Sequence, residues 1–159
     1  MDIEVAWRVP INLRAAPRDA RQDYIIPENF YGRIPEGPGV YVFCRKFGTN
    51  YEPLYIGQAD NLRVRIGQHL KANVPLMKAL RDAKSGTRSV LIGEVITKRG
   101  QQIRRVLDIL ERALIAEAVE QRRSLVNRQL TSSRFHKIVS GGPTAARGPF
   151  SRSHSVPIT

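Results

Sequence analysis

Five side chains have the types and spacings to handle a phosphate group. Tyr41 and Tyr55 lie in two short apolar runs, Gly39-Val40-Tyr41-Val42-Phe43 and Leu54-Tyr55-Ile56-Gly57, and Arg65 and His69 follow at i and i+4, a spacing that shares one helix face. Arg65 is permanently charged and can donate paired hydrogen bonds to phosphate oxygens, which lysine does less well. His69 titrates in a range that suits relaying a proton or hydrogen-bonding a phosphate. The phenols, with an ordinary pKa near 10, are weak bases at neutral pH unless a cation lowers that value. Glu111 completes the set. At about 100° per residue, Leu107, Leu114, Ile115 and Ala118 fall within about 60° of it, which predicts a carboxylate in the middle of an apolar stripe, with Glu117 and Glu120 elsewhere. A core-facing carboxylate is costly unless it is paired or binds metal. It would either hold one divalent cation, Mg²⁺ or Mn²⁺, or pair with an arginine such as Arg65.

Each of these residues also has an ordinary reading. Strand tyrosines usually sit at the core edge with a wet hydroxyl. A histidine beside an apolar stripe is more often structural, and Arg65 has many surface arginines for company, Arg63 among them.

The elements that must position these groups are legible from pattern. The run at 39–45 reads as a buried strand and 52–57 as a second strand stopped by Gly57, with Thr49-Asn50 as turn signals between them. As antiparallel neighbours they would bring the two phenols together. Asp60 or Asn61 caps a helix over 61–72, in which Leu62, Ile66 and Leu70 form the buried stripe with Arg65 and His69 along its edge. A second helix is expected near 75–84, a third strand at 89–97 on the β-branched content of Val90, Ile92, Val95 and Ile96, and a long helix near 101–123.

The ordered set resembles the GIY-YIG nuclease family over roughly residues 34–130. Gly39-Val40-Tyr41 stands where the family has its first signature triplet, and Tyr55-Ile56-Gly57 is the second, unaltered. Arg65 and His69 match the family's catalytic arginine and the His or Tyr that follows it, Glu111 its metal-binding glutamate, and Asn127 its late asparagine. The resemblance implies a small α+β domain with a three-stranded, mostly antiparallel sheet flanked by helices. It further implies a one-metal hydrolysis of DNA phosphodiesters, in which Tyr41 is the leading general base or water-positioning group and Tyr55 supports the network. No Asp/Glu cluster of the two-metal kind is apparent, which agrees. Gly57, Gln58, Asn61 and Asn127 are the candidates for substrate contact, Asn127 being equally readable as a helix C-cap. Gln58 departs from the lysine that excision-repair members carry at that place, and the separation of Glu111 from Asn127 is longer than theirs.

Bulk properties agree with a polyanionic partner. The chain of 159 residues fits one domain, with 26 Lys and Arg against 14 acids and a net charge of +12. The surplus is uneven: residues 1–36 hold 5 basic and 6 acidic side chains, 37–130 hold 17 and 8, and 131–159 hold 4 and none. Residues 1–33 read as an arm packed on or extending from the domain, and 131–159 as a mobile Ser/Gly/Pro-rich tail. The single Cys44 excludes an intrachain disulfide, and neither a long apolar segment nor a basic-then-apolar leader is present, so a soluble cytoplasmic protein is expected, away from membranes. DNA is the expected partner, with branched, single-stranded or RNA substrates left open, and a dimer or protein partner could supply specificity. The competing function is a non-catalytic nucleic-acid-binding module on the same scaffold. Its binding would fall with salt and it would cut nothing.

Overall fold

The computed structural model describes residues 2–18, 22–121, 135–141, 150 and 153–157. Its elements in chain order are β1 (Asp2–Trp7), β2 (Ile11–Asn12), β3 (Arg14–Ala15), β4 (Tyr24–Ile25), α1 (Glu28–Tyr31), β5 (Gly39–Phe47), β6 (Asn50–Ala59), α2 (Leu62–Ala72), α3 (Val74–Asp82), β7 (Thr87–Ile96), α4 (Ile103–Glu120), β8 (Phe135–Gly141) and β9 (Ser153–Pro157). The class is mixed α+β, a largely antiparallel sheet flanked by helices.

The three expected strands are β6, β5 and β7, but they belong to a wider sheet of seven, ordered β6-β5-β7-β1-β8-β9 with β2 also paired to β7. The extra strands come from the two ends of the chain. In β1, Ile3, Val5 and Trp7 are buried while Asp2 and Glu4 are exposed, a period-two pattern that places one face on the core. β1 runs antiparallel to β7 and parallel to β8, the one parallel pair among the described strands. Scattered prolines and a Ser/Gly-rich composition obscure these short strands in the sequence, because composition averages over segments longer than a strand.

Seven successive residues of β5, from Gly39 to Arg45, are buried, because both faces of the sheet are covered. Val40, Val42 and Cys44 pack with α4, whereas Tyr41 and Phe43 pack with α2 and α3 on the opposite face. The hairpin joining β5 to β6 turns at Gly48, whose positive φ of 57° suits glycine. It sets the register Tyr41 opposite Gly57 and Phe43 opposite Tyr55. The α2 helix begins at Asn61, whose side chain accepts from the Val64 amide at 3.1 Å, and buries Leu62, Ile66, Gly67 and Leu70. Asn73 caps α3 in the same way through the Leu76 amide, with Pro75 in the first turn. At the far end of α3 the Arg88 guanidinium donates to the carbonyls of Leu80 and Ala83 at 2.7 Å, Lys84 at 2.9 Å and Gly86 at 2.8 Å. No helix among the described residues is long and apolar enough to cross a membrane.

Candidate active site

The site is built around a glycine. A Cβ added to Gly57 would lie 2.4 Å from the Tyr41 hydroxyl and 2.5 Å from the adjoining ring carbon, so the phenol rests directly on the β6 backbone. Only a residue without a side chain allows that approach. The Tyr41 ring is 2% exposed, stacks on Tyr55 at 6.3 Å, and has Phe43 edge-on at 5.9 Å. His69 tilts against both tyrosines, at 5.3 Å from Tyr41 and 5.0 Å from Tyr55. Its Nε2 is 2.5 Å from the Tyr41 hydroxyl, and its Nδ1 is 2.8 Å from the Asn73 side-chain nitrogen.

Burial raises the pKa of the Tyr41 phenol; the neighbouring Tyr55 adds to the rise and the Arg65 charge opposes it. Tyr55 shifts upward for the same first reason, with Glu111 adding and Arg65 opposing. His69 is pushed down to about 4 by burial and then by Arg65. At neutral pH all three rings are therefore uncharged, and Arg65 is the side chain that favours a phenolate.

Arg65 is exposed and, among the described residues, its guanidinium has neither an ion-pair nor a hydrogen-bond partner. Several neighbours differ in that respect. Arg63 is held by Glu36 and the Ile34 carbonyl, Arg45 by Glu52, Arg81 by Asp23 and Arg8 by Glu94. Arg65 instead lines an open cleft of about 420 Å³ together with Gln58, Ala59, Asp60, Arg104, Leu107 and Asp108. Arg104 belongs to the first turn of α4, which carries no acid.

Glu111 reaches the same sheet edge from the α4 side, near enough to raise the pKa of both tyrosines. Its position corrects the helical-wheel expectation. Val106, Leu110 and Ala113 are buried as well, which moves the centre of the stripe by about 50° away from Glu111. Glu111 is then half-buried at its margin, while Glu117, expected elsewhere, is the buried acid at 9% exposure. Pairing of Glu111 with Arg65 does not occur. The Glu111 carboxylate instead accepts from the Gln58 amide at 3.1 Å, and burial raises its pKa, partly offset by that hydrogen bond. A second acid, which the sequence reading did not find, stands beside it: the same Gln58 nitrogen donates to Asp108 at 2.6 Å. Spacing of i and i+3 on one helix was the available signal. Among the described residues no group of three or more His, Cys, Asp or Glu could hold a metal. Glu111, with Asp108 adjacent, offers oxygen donors of the kind Mg²⁺ takes while retaining most of its waters.

Of the remaining candidates, Gly57 and Gln58 lie at the site, Asn61 has its side-chain oxygen engaged as the α2 cap, and Asn127 lies outside the described residues. Asn73 and Arg104 were missed by sequence reasoning. Asn73 stands one turn after His69 and opens an Asn-Val-Pro helix start, which would have marked it.

Comparison with known proteins finds local likeness only. The chain is 56% identical over 39 residues to UvrABC system protein C of Deinococcus radiodurans, covering 24% of this chain and 6% of that protein. It is 52% identical over 46 residues to UvrABC system protein C of Aquifex aeolicus, covering 29% and 7%. The chain thus aligns with a small fraction of the length of these relatives. No family model matches. No solved structure matches either.

Proposed function

We propose that this chain is a metal-dependent endonuclease that hydrolyses DNA phosphodiesters at the β6 edge by a one-metal mechanism of the GIY-YIG type. The carrying observation is convergence: Tyr41, Tyr55 and His69 meet in one aromatic cluster, with Arg65 and Glu111 close enough to act on its phenols. The local likeness to UvrABC system protein C supports a nuclease-related role and DNA as substrate. In this reading the unpartnered Arg65 donates to the non-bridging oxygens and stabilises charge that grows in the transition state. Glu111 would hold one divalent cation, which supplies Lewis-acid stabilisation to the departing oxygen. Water attacks phosphorus as the bond to the departing oxygen breaks; its proton passes to Tyr41 in the phenolate form, whose own proton has first left to solvent, while His69 hydrogen-bonds the phenolate oxygen and Tyr55 helps to orient the water. Proton acceptance by Tyr41 depends on Arg65, which works against the burial that otherwise keeps the phenol neutral. Arg104, which lines the same cleft as Arg65, would steady a neighbouring phosphate.

Supercoiled plasmid incubated with the protein in Mg²⁺ or Mn²⁺, beside EDTA and Arg65→Ala controls, tests this directly. Nicking or linearisation lost in both controls is the expected result. Intact plasmid, with a salt-sensitive gel shift and no cleavage of branched, single-stranded or RNA substrates, would overturn catalysis and leave the binding module.

A further inference from the structure

Asn73 belongs to no residue set considered for chemistry, yet its side chain touches both a helix end and the histidine of the site. Its Oδ1 accepts from the Leu76 amide at 3.1 Å, as the cap of α3. That bond fixes which way the amide faces, because a backbone N–H can meet only the oxygen. The nitrogen must then be the atom 2.8 Å from Nδ1 of His69, and an amide nitrogen can only donate. Nδ1 therefore presents its lone pair. A neutral imidazole has one proton, so that proton is on Nε2, directed at the Tyr41 oxygen 2.5 Å away.

We infer that Asn73 is a positioning residue, which holds His69 as the Nε2–H tautomer so that the ring donates to Tyr41. The catalytic half of this statement rests on the nuclease reading; the tautomer does not. With its oxygen accepting from His69, the Tyr41 phenol does not spend its own proton on that ring, and a phenolate formed there would find a donor already in place. His69 cannot serve as the base toward Tyr41 in this arrangement, since its one available lone pair is turned to Asn73. The division of labour between the two rings is thus set from the α3 cap, one turn beyond the histidine.

The substitution Asn73→Asp separates this role from capping. Aspartate keeps an oxygen for the Leu76 amide and is a good cap, but it replaces the donor facing Nδ1 with an acceptor. Full-length protein labelled with ¹⁵N, with His69→Gln used to assign the ring signals, reports the tautomer by NMR without any substrate. The expected result is Nε2–H in the wild type, Nδ1 protonated in Asn73→Asp with an unchanged melting temperature, and a kcat at least tenfold lower at unchanged KM. Asn73→Ser, whose hydroxyl can cap as an acceptor and can either donate or accept without fixing which, should fall between the two. A wild-type His69 protonated on Nδ1 would overturn the inference, as would full activity in Asn73→Asp once its tautomer had switched. Wild-type protein that shows the Nε2–H form but cuts nothing would strike the nuclease reading while upholding the placement of His69 by Asn73.

Discussion

Replacing Gly57 by alanine should damage both the fold and the site, and the size of the effect follows from three distances. The new methyl would lie 2.4, 2.5 and 2.9 Å from Oη, Cζ and Cε2 of Tyr41, where ordinary contact needs 3.4 Å or more, so the ring must move by about an ångström. It has little room to do so, being 2% exposed between Tyr55, Phe43 and His69. Overpacking of this kind costs about 1–3 kcal/mol, and loss of the Tyr41–His69 hydrogen bond adds about 0.5–1.5. Restricting the unfolded chain returns about 0.4–1 kcal/mol. The net destabilisation is about 2 kcal/mol, or a Tm lower by about 4–8 °C for a domain of this size. Gly32→Ala is the control: nothing lies within 4 Å of its added Cβ and its φ is −65°, so only the unfolded-chain effect remains and it should stabilise by about 0.4–1 kcal/mol. Urea unfolding of both variants, followed by plasmid cleavage, reads the two effects separately. A Gly57→Ala protein as stable and as active as the wild type would show that Tyr41 does not rest on the β6 backbone.

His69 gives a pH signature. Its pKa is pushed from 6.5 down to about 4 on folding, so the folded state binds fewer protons between those values. Its contribution is fully present above pH 6.5 and is lost as pH falls toward 4. Because the ring is half-exposed, the full shift is discounted to about 1–2 kcal/mol. Unfolding free energy measured across that window should fall less steeply in His69→Gln; an unchanged slope would refute the shift. At the other end of α3, Arg88→Ala strands the carbonyls of Leu80 and Ala83, whose hydrogen bonds are part-buried, releases those of Lys84 and Gly86 to water, and should cost about 2 kcal/mol in urea unfolding. Arg88→Lys should recover under half of it, because a single ammonium cannot span four acceptors. Full rescue by lysine would mean that charge, not the guanidinium fork, holds the helix end.

What could be read in the sequence was local and periodic. The β5 and β6 strands, the α2 stripe and the shared face of Arg65 and His69 all rest on contacts a few residues apart, which periodicity encodes. Glu111 shows where that logic weakens. Angles measured from the glutamate itself, using four apolar neighbours, made it look central; the full stripe, with Val106, Leu110 and Ala113, is centred elsewhere. The N-terminal strand escaped because its alternation spans only six residues and is soon followed by Pro10. Asp108 escaped because its meaning comes from Gln58, fifty residues earlier in the chain, and no local pattern records such a meeting.

The sheet separates two cores, and the candidate site belongs wholly to neither. Tyr41, Tyr55 and His69 are anchored in the layer of α2 and α3, while Glu111 stands on α4 across the sheet, and the two groups approach each other only around β6. The edge strand is therefore a seam. Small slippage of either helical layer against the sheet would alter the gap between the phenols and the carboxylate before it disturbed either core. Chemistry at this position is a gauge of how the two layers are aligned, and substitutions deep in either one, far from any phosphate, can be felt there.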